Sequence, residues 1–144
     1  MKTLAVRNGD LVLTGSKFGV VEGMARVQQQ IGLCLKEPYG NDRFHREWGS
    51  VLDEWVGHAI TTDIPLEVQA EVVRVVRDTI LRQNEQIKAR AAAGFTSVIK
   101  AEEMIVEISS VNVEQRQDNL LVKITLRTAS NQEFTITTQP GSTV

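Results

Sequence analysis

Between Leu35 and Ser50 the chain gathers groups that could do chemistry: Glu37, Asp42, His45 and Glu47, with Glu22 upstream and Lys36, Arg43 and Arg46 interleaved. Two carboxylates flanking a bond are the minimal glycosidase arrangement, one donating a proton and the other attacking or activating water. The donor needs an apolar pocket and a raised pKa, whereas the neighbouring cations keep these acids ionised, so the cluster does not read as catalytic. His45 and His58 are thirteen residues apart, with no His or Cys one helical turn from either, which is not metal-ligand spacing. Gly15, Gly19 and Gly23 recur evenly, but no Gly-Lys-Ser/Thr closes a phosphate cradle. Ser16, Ser50 and Ser97 lack a nucleophile-elbow setting. Cys34, the one cysteine, lies in an apolar helical run and reads as packing. No cofactor, metal or small-molecule substrate is expected.

The elements that must position this segment follow from hydrophobic period. The 144 residues, 42% of them apolar, suit one domain over residues 1–144. With 16 basic and 18 acidic residues the net charge is −2, which offers no general attraction to nucleic acid. No run approaches the ~18 apolar residues of a membrane span, and Met1 to Asp10 has no signal-peptide core. Leu11 to Leu13, between Asn8-Gly9-Asp10 and Thr14-Gly15-Ser16, reads as a short strand. Val20, Met24, Val27, Ile31 and Leu35 form the stripe of a helix of about four turns that Pro38 and Gly40 terminate. A shorter helix follows from Ser50, with Val51, Leu52 and Trp55 inward. Pro65 opens a long helix over Leu66 to Ala93, capped by Asp63 or Ile64 and stopped at Gly94.

Beyond Gly94 the period becomes two. Met104 to Ile108, Leu120 to Arg127 and Phe134 to Thr138 read as a three-stranded meander, and the out-of-phase Ser109-Ser110 pair predicts a β-bulge. The fold class is α+β: short N-terminal strand, helix, loop with short helix, long helix, then a three-stranded antiparallel β-meander. Its last strand is β-prone and uncharged from Thr135 to Thr138, an edge that monomers usually protect. The opening loop has a geometric role left to it. Pro38, Gly40 and Gly49 shape it, and Arg43, Phe44 and Trp48 have the composition of a protein interface. The alternative is that Phe44 and Trp48 cap the monomer's own core.

In order and spacing these features resemble the baseplate wedge and sheath-initiator family of contractile phage tails and type VI secretion systems. The matching residues are Val27, Gln28, Ile31 and Leu35 on the helix, then Gly40, Arg43, Phe44, Trp48-Gly49-Ser50 and Leu52. A long helix and β-meander follow, so the resemblance runs from about Leu11 to Thr138. One departure stands out. Family members carry Glu-Pro-Arg before the first meander strand, and the aligned stretch here is Lys100-Ala101-Glu102-Glu103, which keeps only an acid.

The resemblance implies a structural protein of the virion tail baseplate, assembled in the host cytoplasm. It would meet wedge proteins through Met24, Val27, Ile31 or the long helix, lie near the tail tube, and pair Phe134, Ile136 and Thr138 with an extended arm of the sheath protein by β-augmentation. A proline at Ile136 is expected to block that pairing and spare the fold. Two other readings stay open: a peptidoglycan hydrolase using Glu37 or Glu47, because lysozyme-like labels occur in the family, and a soluble adaptor unrelated to tails.

Overall fold

The computed structural model describes residues 1–55, 64–97, 99–116 and 119–139. His58, Asp63 as one expected helix cap, and Gln117 and Asp118 of the polar connection expected between strands lie outside them.

Residues 2–22 form six short strands: Lys2–Leu4 (β1), Val6–Arg7 (β2), Asp10–Leu11 (β3), Leu13–Thr14 (β4), Lys17–Phe18 (β5) and Val20–Glu22 (β6). They pair as three antiparallel arms, β1 with β6, β2 with β3, and β4 with β5. Asn8 and Gly9 close the second arm with φ of 53° and 80°, the two positive values that a type I′ hairpin demands. Gly15, at φ 65°, starts the turn of the third. The arms meet at a ring of main-chain bonds in which Ala5 N–H donates to Gly19 C=O (2.8 Å), Gly19 to Val12 (2.7 Å) and Val12 to Ala5 (2.9 Å). A Cβ on Gly19 would lie 3.3 Å from the Ala5 and Val12 side chains, so a glycine suits that corner.

The single strand expected over Leu11 to Leu13 is therefore divided. Two-residue turns at Asn8-Gly9 and Gly15-Ser16 each pull their flanking residues together, so Leu11 pairs backward with Val6 and Leu13 forward with Phe18. Val12 is left at the junction.

Helix α1 spans Met24–Lys36 and starts later than its apolar stripe, since Val20 belongs to β6 and Gly23, at φ 66°, breaks the chain before Met24. Val27, Ile31, Cys34 and Leu35 are buried, and burial pushes the Cys34 thiol up. A 3₁₀ turn, Leu52–Trp55, supplies the short helix expected after Ser50. Helix α2, Ile64–Ala92, has 29 residues and a length of about 43 Å. Val68, Val72, Val75 and Val76 bury its inner face, and beyond Gln83 no residue of it is buried. Its end is a Schellman motif: Gly94 has φ 78°, Phe95 N–H donates to Arg90 C=O and Gly94 N–H to Ala91 C=O.

Strands β7 (Ile105–Arg116), β8 (Asn119–Thr128) and β9 (Glu133–Thr138) form an antiparallel sheet in that order. The register shifts at Val106 as well as at the anticipated Ser109. Each bulge adds one residue, which turns the three-residue spacings of Ile105, Ile108 and Val111 into a same-face row that Val113 continues. One apolar cluster joins this row and the inner faces of β8 and β9 to α1, α2 and Leu52.

Ile105 is 2% exposed and Val106 52%. Ile105→Ala should therefore cost about 2–5 kcal/mol and Val106→Ala less than about 1 kcal/mol. Urea denaturation of the two variants checks which residue the bulge turns inward.

Candidate functional site

The segment after α1 is held at both ends. Ser50 N–H donates to Glu37 C=O (2.8 Å) and Tyr39 N–H to Ser50 C=O (2.9 Å), so its outgoing and returning limbs zip together. The Ser50 hydroxyl donates to Leu35 C=O at 2.6 Å. Gly49, at φ 107°, passes so near Pro38 that a Cβ would lie 2.7 Å from Glu37 O and 2.8 Å from Pro38 O. Trp48 packs against the core.

Two residues of α2 that sequence reasoning missed lock this closure. The Arg74 guanidinium donates to Gly49 C=O (2.9 Å), to Glu71 (2.6 Å) and to Asp78 (2.8 Å), and lies 5.0 Å from the Tyr39 ring centroid. Glu71 also accepts Val51 N–H (3.0 Å). Hydrogen bonding and charge from Glu71 push the Arg74 pKa still higher, against the effect of partial burial. On sequence alone, Glu71, Arg74 and Asp78 look like an ordinary i, i+3, i+7 surface trio.

Between the zipped limbs the loop stands clear. Asp42 Oδ1 accepts the N–H groups of Phe44 (2.8 Å) and His45 (3.2 Å), and the first of these bonds does most to hold its carboxyl below the usual range. Asn41 donates to Glu37 (2.7 Å). On this frame Phe44 is 86% exposed, with Arg43 and Arg46 exposed beside it. Trp48 thus serves the core and Phe44 does not, which divides two residues that the sequence treats alike.

The sheet supplies a second surface. Thr128 N–H donates to Gln132 C=O (2.9 Å), which sets the alternation of the β8–β9 ladder. Phe134, Ile136 and Thr138 then bond to β8 and face the core, while Glu133, Thr135 and Thr137 aim their N–H and C=O groups away from it. Among the described residues no strand pairs with that edge. Bulges interrupt the opposite edge, β7, whereas the β8–β9 register is unbroken. A groove of about 690 Å³ runs beside β9, walled by Ala25, Gln28, Gly32 and Lys36 of α1 and ended by the Asn8-Gly9 turn.

Several expected contact residues change role. Val27 and Ile31 have no exposed surface and Met24 packs on the core, because the α1 stripe faces inward. The face of α1 turned to the groove carries Ala25, Gln28 and Gly32. The buried Phe134, Ile136 and Thr138 side chains are likewise core residues, and β9 offers its backbone. The acids have local partners: Glu22 with Lys2 (3.8 Å), Glu37 with Asn41, and Glu47 with Arg82 (3.9 Å). No group of three His, Cys, Asp or Glu among the described residues could hold a metal ion. No helix among them is long and apolar enough to cross a membrane.

Glu103, one of the two acids in the Lys100-Ala101-Glu102-Glu103 stretch, is fully buried. It accepts Gly23 N–H (2.9 Å), Lys100 N–H (3.2 Å), Arg26 Nε (3.3 Å) and the Met1 ammonium (3.4 Å). Burial alone would raise its pKa; the Lys100 and Gly23 amides and then Arg26 outweigh that and hold it below the ordinary 4.5.

The fold and these surfaces define an α+β protein with an open sheet edge beside a helix groove. No protein-family profile matches this chain, and no curated protein matches it. Among solved structures it is similar to the crystal structure of a proposed tail lysozyme from Geobacter sulfurreducens, with a TM-score of 0.54 and 16% identity over 90% of this chain and 94% of that one. At that identity the likeness is one of fold.

Gly49→Ala should destabilise the protein by at least about 2 kcal/mol, combining backbone strain with a clash, read as a lower urea midpoint. Because the native pKa of Glu103 is lowered, its stabilisation is complete above the ordinary 4.5 and is lost as pH falls through the native value. Glu103→Gln should therefore weaken the protein at pH 7 and flatten the acid limb of its stability curve, measured by urea titration between about pH 2 and 7.

Proposed function

We propose that this chain is a structural baseplate protein of a contractile tail, which joins wedge proteins and starts sheath polymerisation by lending its β9 edge to an extended arm of the first sheath subunits. The observation that carries this reading is the regular edge of β9, unpaired among the described residues, beside an open groove. An added strand would gain main-chain bonds from Glu133, Thr135 and Thr137, and its alternate side chains would lie along α1, where Ala25 and Gly32 leave room. The exposed Phe44 between Arg43 and Arg46 suits the wedge contact, since a braced aromatic flanked by arginines has the make-up of a binding hot spot. The tail tube is the third neighbour in this scheme, and the virion tail its location. The likeness in fold to a protein called a tail lysozyme, over most of both chains, supports the same setting.

The edge can be tested by proline. Ile136 is unsuitable, contrary to the expectation from sequence, because its N–H bonds to β8 and its side chain is buried. Thr135 is exposed and its N–H faces outward. Thr135→Pro should keep the circular dichroism spectrum of the wild type and abolish sheath assembly, scored by electron microscopy of tails. Sheathed tails of normal length from that variant would overturn the edge-pairing role. Phe44→Ala should reduce co-purification with wedge proteins and leave the urea midpoint unchanged.

A hydrolase is the second reading, favoured by the name of the Geobacter protein. Release of soluble fragments from purified cell wall by the wild type, lost in Glu37→Gln or Glu47→Gln, would establish it; no release by the wild type would end it.

A further inference from the structure

The three-armed ribbon of residues 2–22 presents an apolar face that, apart from Val6 at the end of the groove, the baseplate reading does not use. At the junction the Ala5 and Val12 side chains converge on the place where a Gly19 side chain would be, so these three positions share one face. Strand alternation turns their neighbours to the other. That other face receives Leu4 and Val20, Val6 and Leu11, and Leu13 and Phe18, the innermost cross-strand pair of each arm. Burial agrees for five of the six: Leu4, Leu11, Leu13, Phe18 and Val20 are 47, 43, 62, 55 and 54% exposed, whereas Thr3, Val12 and Val21 on the first face are half-buried; Val6 is half-buried as well, at the end of the groove beside α1. Arg7, Asp10 and Lys17 fall on the opposite parity. The apolar face keeps only Lys2 and Glu22 at its rim, 3.8 Å apart.

We infer that two copies of this chain associate face to face through this ribbon, about a twofold axis lying along the β1–β6 arm. Turning one ribbon over about that axis exchanges β1 with β6, β2 with β5 and β3 with β4. Leu4 then meets Val20 of the other copy, Val6 meets Phe18 and Leu11 meets Leu13, so every apolar residue finds an apolar one. Lys2 and Glu22 are cross-strand partners, so the same rotation lays Lys2 of each copy on Glu22 of the other. The face is electrically neutral and complementary to itself, as an isologous contact requires. Patches of this kind on monomers span several hundred Å², and two of them reach the total of about 1,000 Å² that a specific interface needs.

Sedimentation equilibrium of the full chain from about 1 µM upward should show a reversible monomer–dimer equilibrium. Leu13→Glu, which places a charge at the most exposed position of the face, should give monomers with an unchanged circular dichroism spectrum. Lys2→Glu should weaken the dimer about tenfold, and the exchange Lys2→Glu with Glu22→Lys should restore it. The exchange restores the intrachain Lys2–Glu22 pair as well, so the circular dichroism spectrum and urea midpoint of Lys2→Glu, both expected unchanged, are what separate a lost contact from a folding defect. A wild type that stays monomeric at ~1 mM, or a dimer indifferent to Leu13→Glu and Lys2→Glu, would overturn the proposal. None of these outcomes bears on β9.

Discussion

The buried carboxylate of Glu103 is the point on which the rest of the architecture depends. Helix α1 has no acidic residue in its first turn and no side-chain cap, and Glu103 meets that need from 80 residues away by accepting Gly23 N–H. The same carboxylate takes Arg26 and Lys100 N–H and so joins the helix start to the α2–β7 connection. An unpaired charge in such a place would be costly to bury, and four donors offset that cost. Its main chain is held too, because the Gln83 amide donates to Glu103 C=O and accepts Ile105 N–H. Ile105 is the first residue of β7, so this clamp sets which side chains of the sheet face inward.

From that register the open edge follows. Two bulges keep the Ile105, Ile108 and Val111 row on the core side of β7 and disrupt its outer edge. β9 carries the burial alternation of a regular strand with no bulge. Its outer backbone groups consequently stand in line beside α1, whose outward residues are small or polar at that level. Among the described residues the sheet is thus interrupted by bulges at one edge and regular and open at the other.

The loop after α1 separates shape from contact. Gly49, Ser50, Arg74 and Glu71 bring its limbs back against α2, and Asp42 braces the tip. Phe44 is left in solvent on a constrained backbone. Its carboxylates, the first candidates for chemistry, are parts of this frame: Asp42 is pulled toward the ionised form by backbone amides, the reverse of what a general acid requires.

Local patterns in the sequence determined the α+β class, the helix ends at Pro38 and Gly94, the meander and the bulge at Ser109, because period and turn chemistry act over a few residues. Arg43, Phe44, Trp48 and the last strand were legible as candidate contact residues from composition. Tertiary structure alone decided that Trp48 is core and Phe44 is not, that Val27 and Ile31 are spent on the monomer, that residues 2–22 fold as three arms, and that Glu103 and Arg74 hold the frame. These outcomes rest on pairings such as Arg26 with Glu103, 77 positions apart, and burial of that kind is a property of the assembled neighbours that no short window of sequence contains.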